Sequence, residues 1–182
     1  MKKKLLLIQP TPYDQYGNLV KKNRLYFVGL ALPLLAALTP DDFEVELCYE
    51  TIEDVPFDTD AELIGISSMG HAVMRTIDIA NKFRELGKTV ILGGYMVSLM
   101  PEEAKKYCDA VMIGDAEETW GMMIQDYLDG HLQKVYQKRL TKLETPLPRY
   151  ELVWNDVDNL TDNRVYCLRY FRVGCFHTRV GY

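Results

Sequence analysis

Val90-Ile91-Leu92-Gly93-Gly94-Tyr95 is the stretch of sequence that decides the fold. A short apolar run ends in two glycines, and Pro101-Glu102-Glu103-Ala104 opens a helix after an intervening loop. This order predicts a buried parallel strand that brings bare backbone to the edge of a sheet, where glycine lets a ligand touch the main chain. Ligands of open α/β sheets bind just beyond the carboxyl ends of strands. Taken alone, the glycine pair is more typical of a tight turn without a ligand.

Further apolar segments alternate with helical patterns along residues 1–130. Those typical of strands comprise Lys4–Ile8, Phe43–Leu47, Leu63–Ile66 and Ala110–Ile113. The helical patterns comprise Leu30–Leu38, Val73–Leu86, a short helix from Pro101 and a helix that ends at Leu128. The alternation predicts a doubly wound, flavodoxin-like (Rossmann-like) α/β domain. We expect a parallel five-stranded sheet of order 2-1-3-4-5, with Phe43–Leu47 at an edge.

Composition narrows the functional classes. The chain has 182 residues and a net charge of -5, which argues against a general nucleic-acid binder. Its four cysteines are scattered and form no Cys-x-x-Cys pair, and the amino terminus carries no secretory signal, so we expect reduced thiols and a cytoplasmic protein. The apolar segment Leu25–Leu38 is too short to span a membrane and contains Pro33, which favours a buried helix and no membrane partner.

The character of the chain changes after residue 130. Residues 131–150 form a basic, proline-stiffened linker that ends in Thr145-Pro146-Leu147-Pro148-Arg149-Tyr150. Residues 151–182 are too few for a domain. We therefore expect them to be the entry to a further unit.

Three loops are predicted to meet at the carboxyl edge of the sheet: Gln9–Arg24 (loop one), Ser67–His71 (loop two) and Gly93–Met96 (loop three). A serine hydroxyl at a helix start either caps the helix or holds a polar part of a ligand. His71, as a lone histidine, is more typical of a surface or packed residue. Gln9-Pro10-Thr11-Pro12 stands where a phosphate-binding glycine loop would follow the first strand, and no nucleophile elbow is visible.

Several spaced motifs, in order, resemble the cobalamin-binding domain that precedes the catalytic barrel of class B radical SAM proteins. They are Leu5-Leu6-Leu7-Ile8-Gln9-Pro10, Gly29-Leu30-Ala31, Ile64-Gly65-Ile66-Ser67, Ile91-Leu92-Gly93-Gly94, Pro101-Glu102-Glu103-Ala104 and Gly114-Asp115-Ala116-Glu117. The resemblance covers about residues 1–130, and Pro146-Leu147-Pro148-Arg149-Tyr150 is similar to the connector of that family. It implies cobalamin as cofactor, held by Ser67, Ser68, Met69, Gly93, Gly94 and Tyr95.

Two departures from related patterns stand out. Loop one lacks the Asp-x-His-x-x-Gly motif of cobalamin mutases, so the resemblance implies no histidine ligand to cobalt from this loop; Tyr13, Tyr16 or Leu19 would cover the corrin face. Cys175 resembles the first cysteine of the Cys-x-x-x-Cys-x-x-Cys cluster motif, but Arg179 and Tyr182 occupy the other two positions. Cys175 is therefore interpreted as a vestigial cluster position. Cys167, Cys175 and His177 match no zinc spacing.

The sequence thus predicts a cobalamin-binding module of a radical SAM, methyltransferase-like protein that is not catalytic alone. Residues 151–182 would be the incomplete start of the radical SAM domain, so the chain is expected to be a fragment, a degraded gene product or a split protein. A 4Fe-4S cluster and S-adenosylmethionine would belong only to a full-length relative. The alternatives are a ligand-free α/β interaction or regulatory domain, and an enzyme completed by a radical SAM domain supplied in trans.

Overall fold

Six parallel strands form the sheet around which the protein is built. The computed structural model describes residues 2–25, 28–139 and 145–154. The strands are β1 Lys3–Gln9, β2 Phe43–Tyr49, β3 Leu63–Ser67, β4 Thr89–Gly93, β5 Ala110–Ile113 and β6 Val135–Gln137. Their order is β2-β1-β3-β4-β5-β6, and every neighbouring pair is parallel. The doubly wound, flavodoxin-like fold and the order of its first five strands are confirmed.

The sixth strand corrects the predicted count of five. It consists of Val135, Tyr136 and Gln137 and lies within residues 131–150, which the sequence indicated as a linker. Only Tyr136 of the three is buried, so the strand is too short and too polar to give an apolar pattern. The Tyr136 hydroxyl donates to Asp126 Oδ2 at 2.7 Å and accepts from the Gln133 amide at 2.8 Å, which fixes the strand against the preceding helix.

Six helices complete the described architecture: α1 Ala31–Leu38, α2 Val73–Glu85, α3 Tyr95–Leu99, α4 Pro101–Ala104, α5 Trp120–Leu128 and α6 Glu151–Trp154. A 3-10 turn, Gly70–Ala72, leads into α2. Pro33 is the third residue of α1, within the first turn, where its missing amide hydrogen costs no intrahelical bond. Helix α3 begins directly after Gly94, where the sequence indicated a loop.

The sheet separates two apolar layers. On one side, the α1/α5 face, helices α1 and α5 cover Leu5, Leu7, Leu63, Ile91 and Met112. On the other side, the α2 face, helix α2 covers Leu6, Ile8, Ile64, Ile66, Val90 and Leu92. Alternate residues of one strand point to opposite faces, so the continuous apolar runs of β1, β3 and β4 supply both layers.

The chain beyond β6 returns to the α1/α5 face. The Arg149 amide donates to the Pro33 carbonyl of α1 at 2.9 Å, and Val153 of α6 is buried in the same apolar layer. Residues 149–153 therefore pack on the sheet domain.

Among the described residues, no helix combines the length and the apolar character needed to cross a bilayer.

Candidate functional site

A cavity of about 310 Å³ opens at the carboxyl ends of β3, β4 and β5, on the α1/α5 face. Its lining comes from α1, from the three strand ends, from the loop after β5 and from the start of α5. The lining residues are Leu30, Ala31, Leu34, Leu35, Gly65, Ile66, Ser67, Ile91, Gly93, Gly94, Met112, Gly114, Asp115, Ala116, Glu117 and Trp120.

Small residues in the strands create this cavity. Gly65, Ser67 and Gly93 share the α1/α5 face, because strand side chains alternate and Leu63 and Ile91 point to that face. A Cβ added at Gly93 would find Met112 Cβ at 3.8 Å, an ordinary contact distance, so the space beside Gly93 is open. The missing side chains therefore leave room between the sheet and α1.

Gly65 is constrained by packing as well. A Cβ there would lie 2.7 Å from Leu7 Cδ2 and 3.6 Å from the Trp120 ring. A side chain at this position would displace the end of the Leu7 side chain on the neighbouring strand, so glycine lets Leu7 and Trp120 pack over β3 here.

Gly94 has a different role from Gly93. Its φ is +94°, and an added Cβ would lie 2.7 Å from the Ser68 carbonyl oxygen and 2.9 Å from the Ser68 nitrogen. Ser98 Oγ donates to the Gly94 carbonyl at 3.1 Å and accepts from the Gly114 amide at 2.9 Å. Gly94 thus shapes the backbone turn from β4 into α3, and Ser98 ties that turn to the loop after β5.

The inner wall of the cavity is apolar. Trp120 is 2% exposed, and its indole N–H donates to Thr39 Oγ1 at 2.9 Å. Thr39 Oγ1 in turn donates to the Leu35 carbonyl at 2.7 Å. Because this chain of bonds uses the indole N–H within the protein, the tryptophan presents only carbon atoms to the cavity.

Polar groups lie toward the cavity mouth. The Ser67 hydroxyl is half-buried and has no hydrogen-bond partner among the residues that the structure describes. Asp115 is exposed and Glu117 is half-buried, which gives the rim two carboxylates. These groups offer one hydroxyl and several acceptor oxygens to a ligand that fills the cavity.

The residues predicted for the site fall into two groups. Ser67, Gly93 and Gly94 line the cavity, whereas Ser68, Met69 and Tyr95 do not. Ser68 is buried behind β3 and its Oγ accepts from Thr76 Oγ1 at 3.0 Å, while Met69 and Tyr95 are 45% and 64% exposed. Binding roles for all six residues stay predictions. Cys175, together with Cys167 and His177, lies outside the described residues.

Several lining residues were not predicted from the sequence. Leu30, just before α1, and Ala31, Leu34 and Leu35 within it were interpreted as a buried helix, and Trp120 was not singled out. Gly65 carried a usable signal, since a glycine inside an apolar strand often marks the close approach of a ligand or backbone. The wall of α1 had no such signal, because apolar helical spacing is equally typical of core packing.

Loop one, expected to meet loops two and three, contributes no residue to the described lining of the cavity. It is held instead by a buried carboxylate. Glu50 is fully buried and accepts from the Thr11 amide at 3.1 Å and from Arg75 Nε and Nη2 at 2.9 and 2.6 Å. The Tyr13 hydroxyl donates to Asp78 Oδ2 at 2.6 Å, which raises the pKa of Tyr13. Loop one is therefore a fixed element beside α2.

The described part of the chain contains no group of three or more His, Cys, Asp or Glu residues that could hold a metal ion. Cys48 and Cys108 are free and buried. Burial raises the pKa of both thiols, that of Cys108 to about 11. Neither thiol is activated as a nucleophile or a metal ligand.

Sequence comparison gives one family and two curated relatives. The family model of the B12 binding domain matches residues 28–121, more than half of the chain. Bacteriochlorophyllide d C-8(2)-methyltransferase of Chlorobaculum tepidum is 35% identical over 111 residues, which is 60% of this chain and 25% of that protein. Bacteriochlorophyllide d C-12(1)-methyltransferase of the same organism is 26% identical over 151 residues, which is 80% of this chain and 32% of that protein. The chain thus spans only a quarter to a third of these relatives' length.

Structure comparison agrees with the fold. The radical S-adenosylmethionine methyltransferase TsrM of Kitasatospora setae, solved with tryptophan and a SAM analogue, matches with a TM-score of 0.56. The match covers 71% of this chain and 26% of that protein at 19% identity, so it supports the fold alone.

Proposed function

Because this chain belongs to the B12-binding domain family, with cobalamin as its cofactor, we propose that the cavity between α1 and the ends of β3, β4 and β5 holds the nucleotide tail of cobalamin. The observation that carries the proposal is the open space beside Gly93, at the carboxyl ends of parallel strands, beyond which ligands of open α/β sheets bind. Ser67 would hydrogen-bond the tail, and Gly93 would lie beneath it.

The cavity fits such a group in size and chemistry. Its volume of about 310 Å³ lies at the lower end of the range for small-molecule sites, about 300–1,000 Å³. The walls are apolar, as a planar aromatic base requires, and the polar atoms lie near the mouth. The rim carboxylates of Asp115 and Glu117 would accept hydrogen bonds from amide N–H groups of the corrinoid.

The described lining residues would bind and orient the cofactor. When bound, cobalamin supplies a cobalt centre suited to methyl transfer. The lining offers a hydroxyl and two carboxylates, but its described members include no thiol or imidazole that acts as nucleophile or proton relay near neutral pH. The module would therefore present the cofactor to a catalytic partner.

The partner that we propose is a radical SAM domain. The two curated relatives are methyltransferases three to four times as long as the matched segment, and the structural neighbour is a radical SAM methyltransferase. A cytoplasmic protein in which this module serves such a domain, within one chain or in trans, would carry out methyl transfer. The cluster and S-adenosylmethionine would belong to that domain. Co-purification of this chain with a separately expressed radical SAM partner tests the arrangement in trans.

Retention of hydroxocobalamin tests the site. The purified chain is incubated with hydroxocobalamin and passed through gel filtration, and the corrin absorption that elutes with the protein is measured. Gly93→Val should reduce retention by about tenfold or more, because a branched side chain would fill the cavity. Gly121→Val is the matched control, since a Cβ at Gly121 meets no atom within 4 Å.

Both variants should stay folded by circular dichroism. A folded wild-type chain that retains no corrin would overturn the proposal and favour a ligand-free interaction domain. Equal retention by wild type and Gly93→Val would place the ligand outside this cavity.

A further inference from the structure

We propose that the cavity selects corrinoids whose nucleotide base is apolar, such as dimethylbenzimidazole, over corrinoids whose base is a purine. The inference rests on the proposed function, because it requires the tail to enter the cavity. It concerns the class of corrinoid that the site accepts, and it follows from the chemistry of the lining.

Carbon atoms make up most of the surface that the base would touch. The side chains that give the cavity its walls are apolar: Leu30, Ala31, Leu34, Leu35, Ile91, Met112, Ala116 and Trp120. Of these, Ile91, Met112 and Trp120 are at most 4% exposed, so they form the innermost part. A base that reaches them leaves water and gains dispersion contacts in return.

Polar atoms of the protein in this inner part already have partners. The Trp120 indole N–H is bonded to Thr39, and Thr39 to the Leu35 carbonyl. The backbone of β3 pairs with β4 through the register Ser67 opposite Gly93, and the Ser68 amide donates to the Gly93 carbonyl at 2.8 Å. Among the lining residues that the structure describes, Ser67 alone carries a side-chain hydroxyl, and it lies at the strand end rather than in the inner part.

A purine would bring more polar atoms into the cavity than the lining satisfies. Adenine carries an exocyclic amino group and several free ring nitrogens, whereas dimethylbenzimidazole carries methyl groups and a single free ring nitrogen. Each polar group that is buried without a partner loses its bonds to water. One such group weakens binding by about tenfold or more, by the usual relation between free energy and affinity.

One competing arrangement would defeat this selection. Glu117 is half-buried at the rim, and its carboxylate is a suitable acceptor for the amino group of a purine. If the base stays near the mouth, Glu117 and Ser67 together would satisfy it. The two arrangements predict different outcomes for the same set of ligands.

The test compares three corrinoids on the full chain by equilibrium dialysis: hydroxocobalamin, its analogue with adenine as the base, and cobinamide, which lacks the nucleotide. The expected order is cobalamin about tenfold or more tighter than the adenine analogue, with cobinamide weaker than cobalamin. Equal affinity for cobalamin and the adenine analogue, with weak cobinamide binding, would overturn the selection and leave the proposed function intact. Equal affinity for cobinamide and cobalamin would overturn both the selection and the placement of the tail. Binding of none of the three by the folded chain would overturn the proposed function itself.

A pair of variants makes the test independent of general destabilisation. Leu34→Gln adds an amide to the cavity wall and should narrow the preference for cobalamin over the adenine analogue, since the amide can pair with a purine edge. Leu38→Gln, in the same helix but outside the lining, is the control and should leave the ratio of affinities unchanged. An equal change in the ratio for both variants would contradict the assignment of Leu34 to the wall of the base site.

Discussion

The two faces of the sheet end differently at the carboxyl edge, although the same strands build them. On the α2 face, the last residues of β3 and β4 are Ile66 and Leu92, which are each 2% exposed and packed under α2. On the α1/α5 face, the neighbouring positions are Gly65, Ser67 and Gly93, and a cavity lies above them. Because successive side chains of a strand point to opposite faces, adjacent residues of the same strand lie in a closed core on one face and beside an open cavity on the other.

This difference indicates that the α2 face serves mainly stability and that the α1/α5 face serves the proposed ligand binding at this edge. The α2 face buries Ile79, Ala80 and Phe83 completely. The α1/α5 face instead leaves a cavity between α1 and the strand ends. Substitutions should therefore separate stability from binding according to the face on which they lie.

The largest expected effect comes from opening the closed face. Leu92→Ala should lower the free energy of unfolding by about 2–5 kcal/mol, because it leaves a void among close-packed side chains. Leu34→Ala, the same substitution in the cavity wall, should cost under about 2 kcal/mol, since one side of Leu34 already faces open space. Urea denaturation of both variants gives the comparison. A larger loss of unfolding free energy for Leu34→Ala than for Leu92→Ala would contradict this difference between the two faces.

The next largest effect on stability is expected from substitutions of Gly93 and Gly94. Gly94→Ala should cost about 1–3 kcal/mol, because alanine is strained at a φ of +94° and its Cβ would overlap the Ser68 carbonyl. Gly93→Ala should be neutral or stabilising by up to about 1 kcal/mol, since its φ is not positive and its Cβ has room. Thermal unfolding checks both values. Equal destabilisation by the two substitutions would mean that the pair acts only as a turn.

The smallest effect concerns pH and the α2 face. Burial raises the pKa of the Cys108 thiol from its ordinary value of 9.0 to about 11. Between these values the unfolded chain releases a proton that the folded chain keeps, so stability should fall as pH rises through this window. Cys108→Ala should flatten that fall relative to wild type in urea denaturation across the same window. An unchanged pH profile would show that the thiol does not resist ionisation in the folded state.

Much of the fold was predictable from local pattern. Continuous apolar runs marked β1, β3, β4 and β5, alternation marked β2 as an edge, and the doubly wound order followed from the strand-helix repeat. Strand β6 was not predicted, because three residues with one buried side chain are too few to show the alternation of a strand. Helix α3 was not predicted, because no capping residue precedes it in the sequence. The turn at Gly94 that starts this helix depends on contacts with Ser68 and Ser98.

The candidate site was predictable only in part. Parallel topology indicated the edge at which Gly93, Gly94 and Ser67 lie, and the resemblance to cobalamin-binding domains implied their role there. The wall formed by Leu34 and Trp120 was not named, because apolar helix positions look the same over a cavity as over a core.

By itself, then, the sequence determined the order of the first five strands and indicated the edge at which we propose that a ligand binds, since local periodicity and chain connectivity suffice for both. The tertiary structure decided the rest. It separated the two glycines into Gly93, which leaves room for a ligand, and Gly94, which the Ser68 backbone requires. It also placed the opening on the α1/α5 face. Both outcomes depend on distances between residues far apart in the chain, and these exist only once the helices are packed on the sheet.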